Sequence, residues 1–149
     1  MKGVYSYSMD NSLRILKEHD IRPTQQRLEV HLILLKQAKH LTAEEIYEKV
    51  KVKMPAISPA TVYTILDLFK QKYVVNEIRI QFDKSCFEAR IDPHHHFLCK
   101  HCRNIFDINI KPCPALETRT IEGNLIEELQ GYFYGTCRKC LEKNDDKPV

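Results

Sequence analysis

Through the first half of the chain, apolar residues recur at helical spacing between polar ones. The stretch "SLRILK" predicts a short amphipathic helix over Ser12 to Lys17. Pro23-Thr24 interrupts it, and Thr24 can cap a second helix running to about Gln37, with Leu28, Ile33 and Leu35 among its apolar positions. In "LTAEEIYEKV", Thr42 and Glu45 have the spacing at which each side chain satisfies a backbone N–H exposed at a helix start. This third helix should stop near Met54, because Pro55 disfavours helical geometry in the residue before it. Ser58 is a strong N-cap and Pro59 suits the first helical position, so a fourth helix is expected from Pro59 to about Lys72. Its Val62, Ile65, Leu66 and Phe69 make a single stripe to bury. After it, "YVVNEIRI" and "QFDKSCFEARI" predict two paired strands.

Two short helices joined by a tight turn, the second well capped and followed by a strand pair, match a winged helix-turn-helix over residues 1–82. Residues 83–149 are left for a second, smaller domain, and the fold class is α+β. In a helix-turn-helix the second helix enters the DNA major groove, and Thr61, Tyr63 and Thr64 face away from the apolar stripe where they can reach bases. A helical hairpin with a solvated outer face fits the same pattern.

Composition changes this picture little. The chain has 149 residues, 43% hydrophobic and 29% charged, which is ordinary for a globular protein. No apolar run approaches the roughly 18 residues of a membrane span. The opening "MKGVYSYSMDNS" has no apolar export signal, so a cytoplasmic location with reduced cysteines is expected. Net charge is only +3, but residues 1–80 carry 13 Lys and Arg against 9 Asp and Glu, while the remainder carries 10 against 11. The basic excess sits in the half that patterns as DNA-binding.

Chemistry concentrates in the second half. Cys99 and Cys102 form one Cys-x-x-C pair, and Cys137 and Cys140 another. Four thiolates so spaced can complete a tetrahedral zinc site with no open position, which makes the zinc structural. Cys86 and Cys113 are bystanders to this arrangement. In "HHHFLC" an extended backbone turns His94 and His96 to one face and His95 to the other. Glu88 and Asp107, on flanking strand-like segments, could add carboxylates. A polar surface cluster is the competing reading.

The ordered set "RPTQQR", "HLTAEEIY", "SPATVYTILDLF", "HHHFLCKHC", "NIFDI" and "YGTCRKC" resembles the ferric uptake regulator (Fur) superfamily of metal-dependent transcription factors from Leu13 to Cys140. The resemblance implies an N-terminal winged helix that binds a palindromic double-stranded DNA operator. It also implies a small C-terminal α/β dimerisation domain, hence a homodimer, with structural Zn(II) on the four cysteines. It further implies His40, Glu88, His94, His96 and Asp107 as ligands of a regulatory Fe(II) or Mn(II), with His40 in the N-terminal domain and the other four in or beyond the hinge. Asp107 resembles the peroxide-responsive branch, in which bound Fe(II) leads to oxidation of a histidine ligand, here His40 or His94. Glu88 resembles the iron-responsive branch instead. The chain departs from the family at Thr64, Ile65 and Asp67 of the fourth helix, and at Leu129, where a further metal site would place histidine. It also leaves only a short dimerisation helix around Ala115 to Ile121. A zinc metalloenzyme using His94, His96 and a carboxylate is the alternative of another class; it lacks a general base, and the chain is expected not to be an enzyme.

Overall fold

The structure, a computed structural model, describes residues 8–37, 40–92, 94–109, 118–127 and 129–144. The chain divides into two units between Ile91 and Asp92.

The N-terminal unit begins with helices α1 (Met9–Glu18) and α2 (Gln25–Lys36), the two-residue strand β1 (Leu41–Thr42), and helices α3 (Ala43–Lys53) and α4 (Pro59–Gln71). Each helix start has a side-chain cap: Ser8 accepts from the Asn11 N–H, Thr24 from Arg27, Thr42 from Glu45 and Ser58 from Thr61. At α3 the box is reciprocal, with Glu45 accepting from the Thr42 N–H at 2.8 Å. The ends of α1 and α4 share a device that no glycine announces. Asp20 and Tyr73 take φ of 55° and 54°. The next residues, Ile21 and Val74, bond back to Leu16 and Phe69 at 2.8 Å and are themselves buried. This is the left-handed helix stop closed by an apolar contact.

The expected stripe of α4 is buried in full: Val62, Ile65, Leu66 and Phe69 join Leu16, Val30, Ile46 and Val50 in one core. Helix α2 buries more than one face, and two of its buried residues are polar. Glu29 reaches Lys53 of α3 at 2.8 Å. His31 meets the Ser12 hydroxyl of α1 at 2.8 Å and sets its ring edge-on to Phe69. Burial first, and the neighbouring His19 second, push the His31 pKa down to about 4.

Strands β2 (Asn76–Ile78) and β3 (Cys86–Glu88) form the expected antiparallel pair, shorter than the sequence suggested, and β1 adds to the other edge of β3 in the order β1-β3-β2. Because β3 pairs on both sides, Glu88 belongs to this sheet, and the division falls nine residues beyond the 82/83 boundary read from the sequence.

In the C-terminal unit, β4 (His95–Cys99) is central, antiparallel to β5 (Ile105–Ile108) and parallel to β8 (Tyr132–Gly135). A hairpin of β6 (Thr120–Ile121) and β7 (Asn124–Leu125) precedes β8, and α5 (Arg138–Asn144) follows it. Residues 120 and 121 of the helix expected around Ala115 to Ile121 are therefore strand. The cause is local: Glu122 and Gly123 take φ of 49° and 81°, the paired positive values of a tight two-residue hairpin turn. The remainder of that expected helix up to residue 117, and Cys113, lie outside the described residues.

Candidate metal centres and DNA-reading face

Two strand ends carry the cysteines to one place. Parallel pairing sets Cys99 opposite Gly135, so the turn after β4 and the turn before α5 emerge side by side. The first turn closes through Arg103 N–H to Cys99 O at 3.0 Å, with Arg103 in the left-handed region at φ 61°. The second closes through Cys140 N–H to Cys137 O at 2.9 Å. Sulfur separations are 3.9 Å for Cys99–Cys140 and 3.7 Å for Cys102–Cys137. Sulfurs on a tetrahedron about 2.3 Å from a central ion stand about 3.8 Å apart, so the set fits zinc. Burial raises the Cys99 pKa, but N–H groups from Cys102, Cys137 and His101 outweigh it and hold the thiol at about 6. Cys140 is pushed up to about 12, first by its bond to Cys137 and then by burial. Four thiolates this close repel one another, and a dication removes that cost.

The same strand β4 carries His95 and His96, and His94 immediately precedes it. His94 and His96 lie on one side, with rings 4.5 Å apart and their Nε2 atoms 3.6 and 3.8 Å from Asp107 Oδ1. The antiparallel register sets His96 opposite Asp107. His94 Nδ1 is 2.7 Å from the Asp92 carbonyl, which can only accept, so Nδ1 carries a proton and Nε2 is the nitrogen turned toward Asp107. His95 points the other way, edge-on to Phe133, as strand alternation requires. A Cβ on Gly131 would fall 1.7 Å from His95 Nδ1, so glycine is needed there.

Within the N-terminal unit, His40 Nε2 is 3.3 Å from Glu88 Oε2, and both side chains are buried. Asn76 of β2 steadies this carboxylate, sitting 3.4 Å from Glu88 Oε1 and bonding the Arg90 carbonyl at 2.7 Å. The expectation that His40 is the sole member of the set in the N-terminal half is thus corrected: Glu88 stands with it. In each unit these side chains join imidazole nitrogen to carboxylate oxygen with no cysteine among them, a donor set that suits Fe(II) or Mn(II).

On the outer side of α4, Tyr63 and Thr64 are exposed and Thr61 is half-buried. Thr64 donates to the Ala60 carbonyl at 2.9 Å, Thr61 shares a hydrogen bond with Ser58 at 2.9 Å, and Tyr63 donates to Glu44 of α3. An open cleft of about 340 Å³ separates this face from the start of α2, lined by Thr61 and Thr64 together with Thr24, Gln26 and Arg27. Sequence reasoning passed over Gln26, Arg27 and Glu44; the first two stand in the "RPTQQR" run at a capped helix start, a position that could have flagged them.

The sequence profile of the Ferric uptake regulator family matches residues 18–129. The chain belongs to the ferric uptake regulator family. The Peroxide-responsive repressor PerR of Staphylococcus epidermidis is 28% identical over 141 residues, covering 93% of this chain and 94% of that protein. The peroxide stress regulator of Campylobacter jejuni superposes with a TM-score of 0.65 at 34% identity, over 86% of this chain and 98% of that one. The Vibrio cholerae ferric uptake regulator, whose structure is described by a rearrangement of its DNA-binding domains, superposes with a TM-score of 0.62 at 27% identity, over 83% and 98%. The family match ends before Cys137, so in this member of the family the second cysteine pair rests on its own geometry. Among the described residues no helix is long and apolar enough to cross a membrane.

Proposed function

We propose that this protein is a metal-dependent DNA-binding transcriptional repressor that releases its operator when peroxide oxidises one of its own histidine ligands. The observation that carries the reading is the thiolate-free donor chemistry of both units, His40 with Glu88 and His94 and His96 with Asp107, in a chain similar to regulators named for peroxide. The five side chains would together hold one Fe(II) or Mn(II), and Cys99, Cys102, Cys137 and Cys140 a structural Zn(II). Fe(II) held there would supply the reducing chemistry toward peroxide beside the imidazoles, and His40 or His94 would be the ring that gains one oxygen atom, the other oxygen leaving as water. The protein's own groups do the rest. The Asp92 carbonyl keeps His94 Nε2 turned inward, and Asn76 steadies the Glu88 carboxylate. With ligands drawn from both units, metal binding favours one arrangement of the units over others by its differential affinity alone.

Thr61, Tyr63 and Thr64 on α4 are the DNA-reading residues of this account. A second copy of the chain completes a two-fold reader for a palindromic operator. Exposed Ile121, Leu125, Phe133 and Tyr134 offer the C-terminal unit an apolar surface for that copy. Glu88 supports a second reading, an iron-responsive regulator that uses Fe(II) only as corepressor. Fluorescence anisotropy with promoter fragments separates these readings. DNA binding should require Mn(II) or anaerobic Fe(II), and peroxide should abolish it in the iron form alone. Persistence of the iron complex under peroxide selects the iron-responsive reading; binding indifferent to metal contradicts both.

A further inference from the structure

Tyr63 stands on the exposed side of α4, and its phenol donates to the carboxylate of Glu44 in the first turn of α3. A phenol has one proton and two lone pairs. With the proton directed to Glu44, what Tyr63 offers outward is an acceptor oxygen and a ring. Glu44 stays a carboxylate and so keeps accepting that hydrogen bond. Its pKa is lowered, first by the Tyr63 bond and next by its own backbone N–H, and it lies where a helix start favours an anion. The Tyr63 pKa is raised, chiefly by the same bond.

We propose that Glu44 is a positioning residue that makes Tyr63 specificity-determining: the phenol oxygen reads an amino group on a base edge, N4 of cytosine or N6 of adenine. The inference rests on the DNA-binding reading above. An untethered tyrosine could equally donate to guanine O6, thymine O4, a purine N7 or a phosphate, so it would distinguish bases poorly. Tethered, it turns lone pairs toward all of those acceptors, and the Glu44 charge at the same edge disfavours phosphate. Glu44 therefore lowers affinity for DNA in general while sharpening the choice of base. A mere tie between α3 and α4 would leave base choice untouched.

The test selects duplexes from a random pool with Mn(II)-loaded full-length protein, comparing the wild type with Tyr63→Phe, Glu44→Ala and Glu44→Gln. The wild type should enrich adenine or cytosine at a position that Tyr63→Phe leaves degenerate, by roughly tenfold. Glu44→Gln, whose amide carbonyl can accept the same proton, should keep that preference, and Glu44→Ala should lose it. Both Glu44 variants should bind random DNA more tightly. Glu44→Ala selecting the wild-type bases overturns the inference and leaves the repressor reading standing; a wild type that enriches no sequence overturns both. Without DNA, ultraviolet titration of Tyr63, taken as wild type minus Tyr63→Phe, should move to lower pH in Glu44→Ala. An unmoved titration overturns the pairing and with it the inference, and leaves the repressor reading standing.

Discussion

The N-terminal unit surrounds Leu16, Val30, Ile46, Val50, Val62, Leu66 and Phe69, each at most 1% exposed, with four capped helices, whereas the buried apolar side chains described in the C-terminal unit are Leu98, Cys99 and Cys137. Beside those three stand His94, His95 and His96, also buried. One unit is held by apolar burial; the other fills its described interior largely with cysteine and histidine. A segment of that size rarely folds on a small core alone, and structural metals are a usual remedy. The contrast teaches where each unit is vulnerable, and it can be broken from either side.

The largest effect should come from the cysteines. Apparent zinc binding free energies in structural sites are about 10–16 kcal/mol, so Cys99→Ser or Cys137→Ser should unfold the C-terminal unit. Hydrogen exchange should show lost protection beyond Asp92 with α1 to α4 still protected; a zinc-free protein protected throughout would contradict the contrast. Leu66→Ala is the converse experiment, costing about 2–5 kcal/mol in the N-terminal unit without loss of zinc.

Acid should act next, and on the N-terminal unit. His31 has a folded pKa of about 4 against an ordinary 6.5, so between those values the unfolded chain binds the extra proton. Stability is full above pH 6.5 and falls by up to about 3 kcal/mol as the pH drops to 4. Denaturant titrations across that window should show the slope in the wild type and lose it in His31→Leu.

Gly131→Ala follows at about 1–3 kcal/mol, because the added methyl displaces the His95 ring. Thermal melting of the zinc-loaded protein measures it, and Val52→Ala on the exposed side of α3 is the indifferent control. The smallest change in stability should accompany the regulatory ligands. His40→Ala and Glu88→Ala should each weaken Mn(II)-activated DNA binding at least roughly tenfold at equal zinc content, and His95→Ala should weaken it far less. If His95→Ala matches His40→Ala, the strand-face assignment fails.

What could be read from the sequence was what neighbours in sequence decide. The caps at Thr24, Thr42 and Ser58 and the α4 stripe depend on residues three or four apart. The doubled cysteine pair is as direct, since zinc chemistry dictates its spacing. The elements missed are set at longer range. Strand β1 has two residues and exists because β3, more than forty positions later, pairs with it. That pairing also moves Glu88 into the N-terminal unit. The buried His31–Ser12 and Glu29–Lys53 contacts hide in α2, where a polar residue looks like an exposed one until its partner is known. The β6–β7 turn was a local signal overlooked, as Glu122-Gly123-Asn124 carries glycine where a tight hairpin needs positive φ.

The central claim is that a metal site built from nitrogen and oxygen lets this repressor destroy its own ligand set. Intact-mass measurement with peptide mapping tests it most directly. Protein loaded anaerobically with Fe(II) and exposed to low peroxide should gain one oxygen atom on His40 or His94 as DNA binding is lost. The Mn(II) form and Asp107→Glu should stay largely unmodified. An iron form that loses DNA with its histidines intact, or that gains the oxygen only on a cysteine, would contradict the account.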